Sequence, residues 1–365
     1  MSNFPFEIRP NPTPVPSAER ERQLSAPGFG SLFTDHMVTA RYDPERGWYG
    51  AEVGPYGPLS LAPSSSVLHY GQAIFEGLKA FRRSDGHIVA FRPRDHAARF
   101  ARSAHRMAMP PLPEELFLGA VEQLVRIDQA WVPRELGHSF YVRPTMLATD
   151  PYLGVRPSKT YLFLLFGSPA GNYFAGGVAP VNVWLSRDFV RAAPGGTGAA
   201  KVAGNYGASL LAQKEAASHQ CEQVVWLDAV ERKYVEELGG MNLFFALKDG
   251  DKTKLVTPAL GDTVLAGVTR SCIIQLARDQ GIEVEERKFA LDEWLDGMQT
   301  GRVVEAFACG TAAVITPIGK VRSNDGEWTV HDKVAGPLAL GLRQRLLGIQ
   351  YGSEPDPYGW CHVLV

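Results

Sequence analysis

Along residues 31–165, apolar positions follow two periods in alternation, about two residues where strands are expected and about 3.6 where helices are. "HIVAFRP" (87–93) reads as a strand. "RPRDHAARFARSAHRMA" (92–108) reads as a helix opened by Pro93, whose fixed φ and missing N–H suit a first turn. Phe117, Val121, Leu124 and Val125 recur at i, i+4, i+7 and i+8 and mark a second amphipathic helix. "SFYVRPTMLA" (139–148) and "TYLFLLFGS" (160–168) have the composition of strands. The turn-forming residues of "SPAGNYFAGG" then suggest a connection between two domains, at 169–178.

The second half gives strands at 178–186, 223–228, 233–238, 241–247 and 303–308, with helices near 204–219, 269–280, 291–299 and 336–348. "VVWLDAVERKYVEEL" has hairpin spacing, which argues against a purely parallel sheet. The expected fold is therefore α+β: mixed sheets with flanking helices in two domains, with a cleft between them. A smaller domain would span 1–168, with an extended proline-rich arm over 1–28, and a larger one 179–365.

Composition narrows the function. Over 365 residues the chain is 45% hydrophobic and 21% charged, with a formal net charge of −2, an ordinary globular balance. Without a basic excess, neither nucleic acid nor an anionic membrane is an expected partner. Cys221, Cys272, Cys309 and Cys361 are widely spaced and form no metal-binding or disulfide pattern, which fits a reducing cytoplasm. No apolar run has membrane-spanning length, and no metal site is expected.

The chemistry gathers around "GGTGAAKVAGNYGASL" (195–210), where Lys201 stands among glycines and alanines. A nucleotide phosphate loop needs G-x-x-x-x-G-K-[ST], but Val202 follows this lysine and the hydroxyl is missing. A Schiff-base lysine fits the setting better, since small neighbours leave room for a ring and apolar surroundings favour the neutral, nucleophilic amine. Tyr206 could reach a ring oxygen, although an exposed loop lysine and an ordinary phenol would look the same locally. Glu236 and Glu237 end a strand, and only one of such neighbours can face a cleft. "AGVTRSCIIQLARDQG" (266–281) could present a helix N-terminus to phosphate, or Thr269 could simply cap it. The Gly310-Thr311 turn allows close backbone approach, or is a plain hairpin.

Taken together, "YGQAIFEGLKAFR" (70–82), "YVRP" (141–144), "GNYGASLLAQKEA" (204–216), "EELGGMNLFF" (236–245) and "GTAA" (310–313) resemble the branched-chain amino acid aminotransferases, fold-type IV pyridoxal phosphate enzymes. The resemblance runs from "FGSLFTDHM" (29–37) to "GIQYG" (348–352). It implies a homodimer moving amino groups between leucine, isoleucine or valine and 2-oxoglutarate, with glutamate as the other amino acid and the active site in the interdomain cleft. D-amino acid aminotransferases and aminodeoxychorismate lyases share the scaffold and are the alternatives. By resemblance, Lys201 carries pyridoxal 5'-phosphate as a Schiff base and acts as the catalytic proton carrier. Glu237 pairs with the pyridine nitrogen and Tyr206 with the ring oxygen. Arg99, Val268, Thr269 and Thr311 hold the phosphate. Tyr141 with the N–H groups of Ala312 and Ala313 takes the substrate α-carboxylate, and Arg143 takes the side-chain carboxylate of glutamate. Phe29, Tyr70, Phe75 and Leu153 line an apolar pocket, some of them contributed by a partner subunit. Two departures stand out. Animal members carry C-x-x-C after the GTA turn, whereas here Cys309 stands alone before it, so no thiol switch is expected; and Gly240 replaces a threonine found in some relatives.

Overall fold

The strand-forming runs pair into two separate sheets, each belonging to one of two units. The computed structural model describes residues 4–171, 178–330 and 334–365. Among these, the first unit holds 4–171, 201–203 and 348–365, and the second holds the remainder.

In the first unit the order is β1 (Glu7–Ile8), α1 (Ser17–Leu24), β2 (His36–Asp43), β3 (Gly47–Pro55), α2 (Ser66–Tyr70), β4 (Ala73–Phe75), β5 (Leu78–Arg82) and β6 (Ile88–Phe91). Then follow α3 (Pro93–Arg106), α4 (Glu114–Ile127), β7 (Ser139–Ala148) and β8 (Tyr161–Ala170). Pro93 occupies the first turn of α3, as its fixed φ favours. β8 is buried on both faces, which is why its sequence is an almost unbroken apolar run. α4 covers β2 and β8 with the stripe of Phe117, Val121, Leu124 and Val125, and Phe100 of α3 packs between Phe117 and Phe163.

The second unit runs β9 (Val181–Leu185), α5 (Ala203–Gly207), α6 (Leu210–Ser218), β10 (Gln223–Leu227), β11 (Tyr234–Leu238), β12 (Met241–Asp249), β13 (Lys252–Thr257) and α7 (Val268–Asp279). It continues with β14 (Val284–Glu286), β15 (Phe289–Ala290), α8 (Leu291–Thr300), β16 (Val303–Gly310), β17 (Val314–Ser323), β18 (Gly326–Thr329) and α9 (Pro337–Tyr351), whose residues from 348 onward count with the first unit. β19 (Cys361–Val363) then pairs antiparallel with β6, so the tail belongs to the first unit rather than to a domain running unbroken from 179 to 365. The first sheet has the order β1-β3-β2-β8-β7-β5-β6-β19, with β4 beside β7. In the second, β12, β16, β17, β9, β10 and β11 pair in succession and β11 pairs again with β12, closing a ring. The ring is mixed, since β9 runs parallel to both β10 and β17. Alternate side chains of β9 and β10 serve two cores: Val183, Leu185, Val225 and Leu227 join Leu243 and Trp294, while Trp184, Val224 and Trp226 join Ala212 and Ala216 of α6.

Three expectations need correction. The arm is not simply extended, because "SAERERQL" is rich in helix formers and makes α1 after Pro16. The single helix over 204–219 is two helices, since Gly204, Asn205 and Gly207 are poor helix formers and the chain turns at 208–209 before α6. Beyond residue 250, β13, β14, β15, β17, β18 and β19 were not expected as elements. The connection expected at 169–178 begins as the end of β8, and its remainder lies largely outside the described residues. Among the described residues, no helix is long and apolar enough to cross a membrane.

Candidate functional site

Lys201 is held by its backbone. Its N–H donates to Ser103 Oγ at 2.9 Å and its carbonyl accepts from the Phe75 N–H at 3.1 Å. Val202 bridges Ile74, so the segment lies along β4 as a short extra strand would. Nζ stands 4.7 Å from the centroid of the Phe75 ring. The loop before it is pinned by Asn205, whose Nδ2 donates to the carbonyls of Thr197 and Ala200 at 2.8 and 3.0 Å.

Around Phe75 the first unit gathers three more of the expected residues. Arg143 lies 4.8 Å over the same ring, and its Nη2 donates to the Tyr141 hydroxyl at 3.2 Å. Tyr141 and Arg143 share a face because they are two apart on β7. Phe29 meets Tyr141 edge-on at 5.2 Å. A Cβ on Gly77 would stand 1.8 Å from the Tyr141 hydroxyl, so only glycine leaves that phenol its place. Tyr70 and Leu153 meet each other instead: the phenol donates to the Leu153 carbonyl, and the two residues are 43% and 61% exposed.

Arg99 is buried on the inner face of α3 rather than on a solvated one. Its Nε and Nη2 donate to the two oxygens of Glu76 at 2.6 and 2.9 Å, and His96 Nδ1 lies 2.8 Å from Glu76 Oε2. The Gly77 N–H adds a fourth donor to this carboxylate at 3.1 Å. Burial alone would push the Glu76 carboxyl up, but the charge of Arg99 and the hydrogen bonds of both partners outweigh it and hold it well below the usual range. Burial holds His96 below its ordinary value against the opposing pull of Glu76, whose carboxylate its Nδ1 faces. Sequence reasoning missed Glu76. Its signal was a glutamate inside the apolar run "AIFEGLKAF", since a buried carboxylate requires a cation.

In the second unit, strand register does the gathering. Glu237 of β11 lies opposite Asn242 of β12, and Asn242 opposite Cys309 of β16, next to the turn at 311–313. Two strand spacings, about 10 Å, therefore separate Glu237 from the strand that enters that turn. Glu237 is only 1% exposed; Oε1 accepts the Leu265 N–H at 2.7 Å and Oε2 lies 3.1 Å from Arg191 Nε. Asn242 Nδ2 donates to the Leu265 carbonyl at 2.9 Å, fixing the loop that leads into α7. Gly267, not Thr269, is the N-cap, and a Cβ there would meet Asn242 Oδ1 at 2.0 Å. Val268 and Thr269 thus occupy the first turn, where helix N–H groups point along the axis. Thr311, Ala312 and Ala313 form the three-residue loop between β16 and β17, closed by Val314 at a φ of 64°, a strained conformation for a β-branched residue. Tyr206 packs on Gly240, where a Cβ would be 3.1 Å from its ring. Glu236 points the other way and accepts from Thr263 Oγ1. Cys309 is buried, and burial pushes its thiol far above the reactive range.

The first unit thus holds an amine and a guanidinium, and the second a buried carboxylate, a phenol and a helix N-terminus, donor types that suit a phosphorylated pyridine aldehyde. The family described as amino-transferase class IV matches residues 73–321. This chain belongs to that family. Among class IV amino-transferases it is 55% identical to the branched-chain-amino-acid aminotransferase of Mycolicibacterium smegmatis, over 97% of each chain. Its structure is similar to that of the Escherichia coli branched-chain amino acid aminotransferase, with a TM-score of 0.75 and 30% identity, covering 91% of this chain and 99% of that one. It is also similar to the T.th. branched-chain amino acid aminotransferase complexed with N-(5'-phosphopyridoxyl)-L-glutamate, with a TM-score of 0.73 and 29% identity over 90% of this chain and 98% of that one.

Proposed function

We propose that this class IV amino-transferase moves the amino group between branched-chain L-amino acids and 2-oxoglutarate, using pyridoxal 5'-phosphate bound to Lys201. The observation that carries the reading is the seat of Lys201, with its backbone tied to Ser103 and Phe75 and its Nζ over an aromatic face beside Tyr141 and Arg143. When bound, the cofactor supplies an electron sink for the pair left on the substrate Cα. The chain does the rest. Lys201 Nζ would hold the cofactor through its aldehyde and, as a free amine, would take the proton from the substrate Cα and return it. Glu237 keeps the ring nitrogen protonated, and Tyr206 donates to the ring oxygen. Arg99, fixed by Glu76, clamps the phosphate together with the N–H groups of Val268 and Thr269 and the Thr311 side of the turn.

Tyr141 and the N–H groups of Ala312 and Ala313 orient the α-carboxylate. Arg143, stacked on Phe75, receives the side-chain carboxylate when glutamate or 2-oxoglutarate is bound. Phe29, Phe75, Tyr70 and Leu153 surround the branched side chain. Because one methylene in an apolar site is worth about 1–3 kcal/mol, leucine, isoleucine and valine are all substrates. The working form is a homodimer, in which the exposed Tyr70 and Leu153 gain cover from a second copy.

Borohydride reduction of the yellow holoenzyme followed by peptide mapping fixes the cofactor on Lys201; label on a different lysine overturns the assignment. Turnover of L-leucine with 2-oxoglutarate, measured against D-alanine and aminodeoxychorismate, tests the substrate class, and absence of the L-leucine reaction refutes it.

A further inference from the structure

Arg191 has no part in the roles assigned above, yet it is one of the most deeply buried cations of the second unit, at 8% exposure in the loop between β9 and α5. Its Nη2 donates to the Gly198 carbonyl at 3.1 Å and also to that of Thr263. Its Nε lies 3.1 Å from Glu237 Oε2 with the N–H turned off the line to that oxygen, so the contact is an ion pair rather than an aligned hydrogen bond. Gly198 is three residues before Lys201, and Thr263 two before Leu265, whose N–H holds the other oxygen of Glu237. One guanidinium therefore fastens the loop entering Lys201, the loop entering α7, and the carboxylate. Thr263 is gripped twice, by Arg191 at its carbonyl and by Glu236 at its hydroxyl.

We infer that Arg191 is a positioning residue that keeps Glu237 ionised, so that the proton shared with the cofactor's ring nitrogen rests on the ring. The inference builds on the proposed function, in which Glu237 faces that nitrogen. Burial favours a neutral carboxyl, and a cation about 3 Å away reverses that preference. Without the cation, Glu237 keeps the proton and the ring withdraws electrons less strongly from Cα. A lysine supplies charge but not the planar fork that reaches two carbonyls and a carboxylate together.

The test uses holoenzymes of Arg191→Met, Arg191→Lys, Glu237→Gln and the Arg191→Met/Glu237→Gln double variant. Each is assayed for kcat and KM with L-leucine, and for the absorbance of the bound cofactor. An opposite charge at this range biases a proton equilibrium tenfold to thousandfold, so R191M should lose roughly 10-fold or more in kcat with KM little changed. Its cofactor absorbance should move toward that of E237Q. R191K should recover part of kcat, and the double variant should be no slower than E237Q, because Arg191 acts through Glu237. Losses that multiply in the double variant, or an R191M spectrum like wild type, would show a merely structural clamp and overturn the inference. If R191M fails to fold, Arg191→Gln takes its place in the same cycle. Wild-type kcat and absorbance in E237Q would instead sink the role of Glu237 itself, while an impaired E237Q beside a wild-type-like R191M sinks only the role of Arg191.

Discussion

Replacing Glu76 with glutamine should be among the most destabilising single changes in the first unit. Glu76 is fully buried and accepts from both nitrogens of the Arg99 fork, from His96 and from the Gly77 N–H. At the 2.9 Å separation of Arg99 Nη2 from Oε2, the gross attraction is about 6 kcal/mol for an effective dielectric near 20. Desolvation of both charges offsets much of this in the intact pair. Glutamine removes the attraction and leaves the guanidinium buried, a change that typically costs about 3–5 kcal/mol. For a unit of this size that is a fall in Tm of about 6–20 °C, at about 2–4 °C per kcal/mol.

Tryptophan fluorescence and circular dichroism during heating measure the shift, with E76L/R99M as the control. That variant deletes both charges and should lose less than E76Q, because no uncompensated charge remains. The pH dependence carries the same signature. Glu76 binds fewer protons folded than unfolded, so its stabilisation is present above the ordinary carboxylate value near 4.5 and is lost as pH falls below it. The gap between wild type and E76Q should therefore be widest at neutral pH and narrow in acid. A fall in Tm below about 2 °C at pH 7, or a gap that grows in acid, would refute the account of this pair.

Gly77→Ala should force the Tyr141 phenol from its place, since the new Cβ would overlap the hydroxyl; KM for L-leucine should rise about tenfold, a loss of about 1.4 kcal/mol, and an unchanged KM would remove Tyr141 from carboxylate binding. Glu236→Gln should raise Tm at pH 8. Burial holds the Glu236 carboxyl above its usual value against the Thr263 hydrogen bond and the Arg191 charge, so its contribution is favourable below about 4.5 and is lost as pH rises through the folded value. That gain should disappear by about pH 4, and a gain independent of pH would contradict it. His36→Ala should loosen the amino-terminal arm, because His36 Nε2 accepts the Asn11 N–H at 2.8 Å while Nδ1 pairs with Asp128 at 2.6 Å. Loss of about 1 kcal/mol there corresponds to roughly fivefold faster limited proteolysis within residues 9–24, and unchanged cleavage would show that Asp35, whose carboxylate accepts the Val15 N–H at 2.8 Å, holds the arm alone.

Much of this fold was legible because its signals are local. β7 matches its expected bounds, since ten consecutive residues of strand-forming character leave no competing period. α3 begins at the proline that favours a first turn. What was hidden depends on partners far along the chain. Lys201 owes its seat to Ser103, 98 residues away, and the ring of strands closes only when β11 pairs with β12 as well as with β10. The tail reaches β6 by a pairing that no window of sequence contains.

Buried charges divide along the same line. Glu76 stood out in principle, because it interrupts an apolar run, and the cost of an unpaired carboxylate requires a cation that Arg99, 23 residues on, supplies. Arg191 stood out in no way. "RDFVRAAPGG" mixes charged residues with small and turn-forming ones in no regular period, as a surface loop would, and only the register of β11 brings Glu237 against it. Yet the two pairs obey one rule. Each sets an opposite charge behind a group to which the proposed function gives a cofactor contact, Arg99 with the phosphate and Glu237 with the ring nitrogen, so each charge is settled within the chain itself. Pattern reading sorts charged residues outward by default, and it therefore fails where burying a charge is what prepares the site.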